Sequence, residues 1–158
     1  STWSYMAELM QAIVPPHDPD EVLFRMIDAC LVATESNSST LAALTLYFET
    51  WLLRIGGFFP RLDICGECGR PVGDHENAVR SIDFGMSCSD CRQISDSNIL
   101  TSADRRLFES IRRNSPAAVL VESENKAESI RRGSEMTKRL ISALIRKEVK
   151  NLTFRVSI

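Results

Sequence analysis

Apolar residues recur at helical spacing from the first turn of the chain. Trp3, Met6, Leu9, Met10, Ile13 and Val14 share a face, and Pro15-Pro16 ends the run by removing donors and restricting the preceding backbone. Asp18 then stands in N-cap position with Pro19 at the first helical site. The second helix carries Val22, Leu23, Met26, Ile27, Cys30 and Leu31 on one side and fades into the polar run 34–39. Ser38 or Ser39 caps a third, in which Leu41, Leu44, Leu46, Tyr47, Phe48, Trp51, Leu52 and Ile55 leave hardly any polar face. A helix apolar nearly all round belongs at the centre of a core. Gly56-Gly57 closes it, and Phe58-Phe59-Pro60 is extended.

From Ile64 to Ile94 the periodicity is lost to short segments with Gly66, Gly69, Gly73 and Gly85, suited to tight knuckles and a β-hairpin around Val79, Ser81, Ile82, Phe84 and Met86. Thr101 with Asp104 forms a capping box for a helix carrying Leu107, Phe108 and Ile111. A short segment 117–121 follows. Ile130, Met136, Leu140, Ile141, Leu144, Ile145 and Val149 mark a long amphipathic helix, interrupted or weakened at Gly133. The pattern predicts a mainly α fold, a helical bundle with a small inserted cysteine module. Residues 1–62 supply the first helices, 63–95 the insertion and 96–158 the basic helices of the same bundle.

The insertion holds the chemistry. Cys65-Gly66-Glu67-Cys68 and Cys88-Ser89-Asp90-Cys91 are two CxxC pairs separated by 19 residues, a zinc-site spacing. Thiolates at i and i+3 share an ion only if the chain turns sharply, a freedom supplied by Gly66 and Gly69. Four thiolates fill the tetrahedral sphere of Zn²⁺ and leave no position for water or substrate, so the ion is structural. A redox dithiol pair and an iron–sulfur cluster use the same residue type. The fifth cysteine, Cys30, fits a small buried hydrophobe. His17 and His75 read as turn and loop residues, and no nucleophilic or acid–base grouping accompanies them.

With 158 residues, 44% of them hydrophobic, the chain can bury one ordinary core. No run approaches the roughly 20 apolar residues of a membrane span. Unpaired cysteine arithmetic and CxxC spacing fit a reducing, cytoplasmic setting. The net charge of −2 conceals an asymmetry: residues 101–158 hold 13 Lys/Arg against 7 Asp/Glu. Candidates for contacting phosphate or acidic peptide are Arg112, Arg113, Arg131, Arg132, Lys138, Arg139, Arg146, Lys147 and Lys150, with Arg139, Arg146 and Lys150 recurring along one helix. Base-specific readout is not indicated, because no recognition-helix motif is present.

The order of these features resembles one family. Phe48-Glu49-Thr50-Trp51-Leu52-Leu53-Arg54-Ile55-Gly56-Gly57, then Pro60-Arg61-Leu62-Asp63-Ile64-Cys65-Gly66-Glu67-Cys68-Gly69, is similar to the F-E-x-x-L-L-x-x-x-G helix and P-x-L-x-x-C-x-x-C-G knuckle of the bacterial recombination mediators RecO. Tyr5-Met6-Ala7-Glu8-Leu9, Leu23-Phe24 and the basic close from Leu140 to Phe154 also look like that family. Nothing here corresponds to its N-terminal OB-fold barrel, so the resemblance is to the C-terminal helical and zinc-bearing region. It implies a non-enzymatic, nucleoid-associated DNA repair factor. Such a factor binds single- and double-stranded DNA, the acidic tail of single-stranded DNA-binding protein, and RecR, and indirectly helps load RecA. The alternative is a zinc-stabilised scaffold for protein partners without direct DNA binding.

Overall fold

The computed structural model describes residues 2–14, 20–36, 41–81, 83 and 85–156, with side chains except at 35, 36 and 148–156. Expectations for Pro15, Pro16, His17, Asp18, Pro19, Ser38, Ser39, Ile82 and Phe84 lie outside the described residues, as do the side chains of Val149, Lys150 and Arg155. Among the described residues, helices α1 (Thr2–Ile13), α2 (Glu21–Ser36) and α3 (Leu41–Ile55) precede strands β1 (Ala78–Ser81), β2 (Gly85–Ser87) and β3 (Ile99–Leu100). Helices α4 (Ser102–Arg113), α5 (Pro116–Glu122) and α6 (Ala127–Val156) follow.

Helix α3 is the axle of the bundle, touching α1, α2, α4, α5 and α6. Leu44, Leu46, Phe48, Leu52 and Leu53 are each at most 2% exposed, and full burial of one such side chain stabilises by about 1.5–3 kcal/mol. Two polar residues of α3 are buried with them. Glu49 accepts from Tyr5 Oη of α1 and Thr137 Oγ1 of α6, both at 2.6 Å, which ties three helices through one carboxyl group. Burial is the main influence on that group and raises its pKa above the ordinary carboxylate value, against the two hydrogen bonds.

Local signals set several boundaries. Asp20 Oδ1 accepts from the backbone of Val22 and Leu23 at 2.8 and 3.2 Å, so Asp20 caps the start of α2. Thr101 and Asp104 form the reciprocal capping box expected for α4. Helix α6 runs unbroken through Gly133, because that glycine is a packing site. A Cβ there would lie 3.0 Å from Leu46 Cδ2 and 3.4 Å from Phe108 Cζ, so its absence lets α6 close on α3 and α4.

The expected hairpin gains a third strand. The order is β2-β1-β3, all antiparallel, with Val79 opposite Ser87 on one side and Ile99 on the other. Ala78, Met86 and Leu100 of this sheet join the same buried cluster as Leu53 and Phe108. Arg80 of β1 fastens the sheet to α6. Its guanidinium donates to the Arg132 carbonyl at 3.2 Å, Glu135 at 2.8 Å and the Ser97 carbonyl at 2.7 Å.

Candidate metal centre and arginine groove

The first CxxC pair is built by a tight turn. Gly69 N–H donates to the Cys65 carbonyl at 2.9 Å and Gly69 takes φ +74°, a conformation that side chains with a Cβ rarely adopt. Gly66, the other glycine expected to free this turn, does not take a positive φ; its N–H instead donates to the Met86 carbonyl at 2.8 Å, holding the knuckle to β2. The second pair turns through Cys91 and Arg92 N–H groups, which donate to the Cys88 carbonyl at 3.2 and 3.1 Å.

These turns bring the sulfur atoms of Cys65, Cys68, Cys88 and Cys91 all within 4.8 Å of one another. The Cys65–Cys91 and Cys68–Cys88 separations are 3.9 and 3.8 Å. A tetrahedral ion with metal–sulfur bonds of about 2.3 Å requires sulfur–sulfur distances of about 3.8 Å, so the four residues fit a single metal ion. Burial alone pushes the Cys65 thiol up, but backbone N–H groups of Cys68, Cys88 and Glu67 aimed at its sulfur bring it down to about 6, favouring the thiolate that binds metal. Arg70 and Arg92 stand beside the centre. Arg70 pairs with Glu76 at 2.6 Å and Asp90 at 3.2 Å, and Arg92 pairs with Glu67 at 2.5 Å. Cys30 is fully buried in the helical core, and burial pushes its thiol up to about 12.

The expected basic residues divide into groups. Arg131 and Arg132 are engaged within the fold: Arg131 pairs with Glu128 and Glu135, and Arg132 grips the buried Asp104 at 2.8 and 3.0 Å. Lys138, Arg139, Arg146 and Lys147 are exposed along α6. Lys150 lies on α6 with its side chain outside the described residues. Arg112 and Arg113 share Glu109 at the end of α4, and these two guanidinium groups hold the Glu109 carboxyl down to about 2.

Arg112 and Arg113 also line a groove of about 860 Å³ between the end of α3, helix α4 and the loop that carries the first knuckle. Four further arginines face it: Arg54, Arg61, Arg105 and Arg106. Its acidic members are Asp63, Asp74 and Glu109, so six guanidinium groups meet three carboxylates. Arg61 is matched to Asp63 at 3.0 and 2.5 Å. Arg54 instead rests on aromatic faces, 5.7 Å from the Trp51 centroid and 5.8 Å from that of Phe59. Desolvation first, then repulsion from Arg112, lowers its pKa. Phe59, Pro60, Leu62 and Phe108 add apolar lining. Convergent arginines over an apolar floor suit an acidic ligand with an apolar part, since guanidinium forks pair bidentately with carboxylates and phosphates.

Spacing along one helix does not expose this groove, because its lining comes from residues 54 to 113 on separate elements. Arg54 and Arg61 lie within the stretch that resembles the family but at positions its motif leaves open, so no sequence signal singled them out. Among the described residues, no helix is long and apolar enough to cross a membrane.

Comparison with known proteins places residues 1–153 on the model of the family "Recombination protein O C terminal". Proteins named DNA repair protein RecO are similar to the chain. That of Anaeromyxobacter sp. (strain K) is 38% identical over 87 residues, 55% of this chain and 34% of the relative. That of Pelobacter propionicus (strain DSM 2379 / NBRC 103807 / OttBd1) is 33% identical over 87 residues, covering 55% and 35%. That of Koribacter versatilis (strain Ellin345) is 26% identical over 95 residues, covering 60% and 38%. The matched stretch thus spans about a third of these relatives' length.

Proposed function

The chain belongs to the RecO family, in the part described as the recombination protein O C terminal, and from that premise we propose that it serves DNA repair by holding acidic partners rather than by catalysing a reaction. The observation that carries this reading is the arginine groove, whose guanidinium groups outnumber its carboxylates two to one. The first ligand is the acidic, apolar-ended tail of single-stranded DNA-binding protein. Carboxylates pair with Arg54, Arg112 and Arg113, and the apolar end meets Phe59 and Leu62. The exposed cations of α6, namely Lys138, Arg139, Arg146, Lys147 and Lys150, contact DNA phosphates without reading bases. RecR is a further partner, and RecA loading is the indirect outcome, in the cytoplasm.

The ion held by Cys65, Cys68, Cys88 and Cys91 is zinc in this reading. Its chemistry is structural: four thiolates saturate it, so it braces the 63–95 module against the helices and presents no site to a substrate.

A fluorescein-labelled peptide of aspartates ending in phenylalanine tests the groove. Binding by fluorescence anisotropy at about 50 mM salt should weaken at least tenfold in Arg54→Glu/Arg112→Glu and fall steeply as salt rises. Equal affinity in that variant and the parent chain would remove the groove from the function.

A second reading, a scaffold without direct DNA contact, is favoured by the pairing of Arg131 and Arg132 with Glu128, Glu135 and Asp104. Charge reversal at Arg139 and Arg146 separates the two. Unchanged retention of a labelled single-stranded oligonucleotide favours the scaffold.

A further inference from the structure

Arg105 stands apart from the other arginines of the groove. It is 8% exposed, and among the described residues its guanidinium makes no direct ion pair with a carboxylate. It donates instead to four backbone carbonyls: Leu62 at 3.2 Å, Val72 at 3.4 Å, Glu76 at 2.7 Å, and Gly73 in a short contact. Its Nε is buried with no hydrogen-bond partner among the described residues. Asp74 and Glu76 attract this cation without pairing with it directly, and burial still works against its charge.

The four carbonyls have a shared address. Leu62 and Val72 lie at the two ends of the loop bearing Cys65 and Cys68. These ends are pinned together by Val72 N–H donating to the Asp63 carbonyl at 2.9 Å and by the isolated bridge between Ile64 and Pro71. The same ends form a wall of the groove, with Arg61, Leu62 and Asp63 on the incoming side and Asp74 and His75 on the outgoing side. Residues 62–76 contain no helix and no strand beyond that bridge. The wall is therefore shaped from two directions: by the cysteine centre closing the loop at one end and by Arg105 gripping its base from α4.

We propose that the metal centre and the groove are one thermodynamic unit with Arg105 as the positioning residue between them, so that metal forms the wall that binds an acidic ligand and the ligand retains the metal. The inference rests on the reading of the groove as an acidic-ligand site. Without metal, the loop ends separate and the carbonyls leave Arg105, so the groove loses the wall that carries Arg61 and His75. An anion in the groove adds a further counter-charge to those of Asp74 and Glu76 around the carbonyl-caged Arg105. Both ligands favour the same arrangement of residues 62–76, and linkage makes the effect reciprocal.

The experiment measures both directions on the whole chain. Transfer of the bound metal to a chromophoric chelator is timed with and without the aspartate–phenylalanine peptide, and peptide affinity is measured on metal-loaded and metal-stripped protein. The peptide should slow metal transfer about tenfold, and stripping should weaken peptide binding by a similar factor, within the roughly 5–150-fold range of coupled sites. In Arg105→Gln, loaded with metal and checked for unchanged helical circular dichroism, the peptide should no longer slow transfer. The wild-type transfer rate needs no variant, so a poorly folding Arg105→Gln leaves the test intact. Peptide binding by the loaded wild type with no change in metal transfer overturns the coupling and spares the groove. No peptide binding by the loaded wild type overturns the groove reading and this inference with it.

Discussion

Replacing Asp104 by Asn removes one charge from the most enclosed ion pair among the described residues. Asp104 is fully buried, accepts from Arg132 Nε at 2.8 Å and a terminal guanidinium nitrogen at 3.0 Å, and takes the Thr101 N–H at 2.9 Å as part of the α4 cap. The asparagine carbonyl can keep the cap, but its NH₂ faces a guanidinium that has only donors. Breaking a buried pair by removing one partner costs about 3–5 kcal/mol. Arg132 retains Glu128 at 3.0 Å and 14% exposure of its side chain, which places the loss at the low end, about 3 kcal/mol. For a chain of this size that lowers the melting temperature by about 6–12 °C. Urea unfolding followed by circular dichroism measures it, and a double-mutant cycle with Arg132→Met should give a coupling of about 2 kcal/mol. A loss under about 1 kcal/mol, or additive single effects, would refute the reasoning and free Arg132 for contacts outside the fold. Burial opposes ionisation of Asp104, yet Arg132 and the Ser129 and Thr101 donors hold its pKa below the ordinary aspartate value. The contribution is thus present above the unfolded aspartate pKa and is lost as pH falls through the folded one.

Glu49 should show the opposite pH dependence. Its folded pKa is raised, so the native state keeps a proton that the unfolded chain has released, and stability falls as pH rises toward the folded value. Urea curves for wild type and Glu49→Gln at pH 5 and pH 8 should converge or cross in favour of Gln at the higher pH; parallel behaviour contradicts the buried-acid account. Gly133→Ala gains about 1 kcal/mol of helix propensity but forces Leu46 and Phe108 aside at about 1–3 kcal/mol. A net loss near 1 kcal/mol is expected, and a gain of the full propensity would show that α6 is not tightly seated. Stripping metal with excess chelator, or Cys68→Ser, should lower unfolding free energy by about 4 kcal/mol if metal is held at a thousandfold excess over its dissociation constant. Elemental analysis of the wild type should find about one zinc per chain, and an unchanged melting curve after stripping would refute a structural ion.

What could be read from the sequence was local. The CxxC pairs were legible because a knuckle needs only a few residues and a glycine able to take φ +74°. The α4 capping box was legible because its two members are three residues apart. Helix α3 was recognisable as central from its unbroken apolarity, yet the burial of Glu49 was not, since its donors Tyr5 and Thr137 are 44 and 88 residues away. The third strand, only two residues long, carried too little alternation to be seen. Charge counting marked the last third of the chain as basic but could not tell a paired arginine from a presented one. Arg131 meets Glu128 and Glu135 at i−3 and i+4 on its own helix, a local pairing that a bare charge count ignores, whereas the Asp104 that holds Arg132 is 28 residues away and Arg105 is caged by carbonyls 29 to 43 residues away. The groove emerges only when the end of α3, the knuckle loop and α4 are brought together.

The central claim, that acidic ligands dock in this groove, is tested most directly by nuclear magnetic resonance of the arginine Nε–H groups during titration of metal-loaded protein with the aspartate–phenylalanine peptide. The account expects salt-sensitive shifts concentrated at Arg54, Arg61, Arg105, Arg112 and Arg113, with the Arg139 and Arg146 signals unmoved. Shifts confined to Arg139 and Arg146 on α6, with the groove arginines silent, would contradict it.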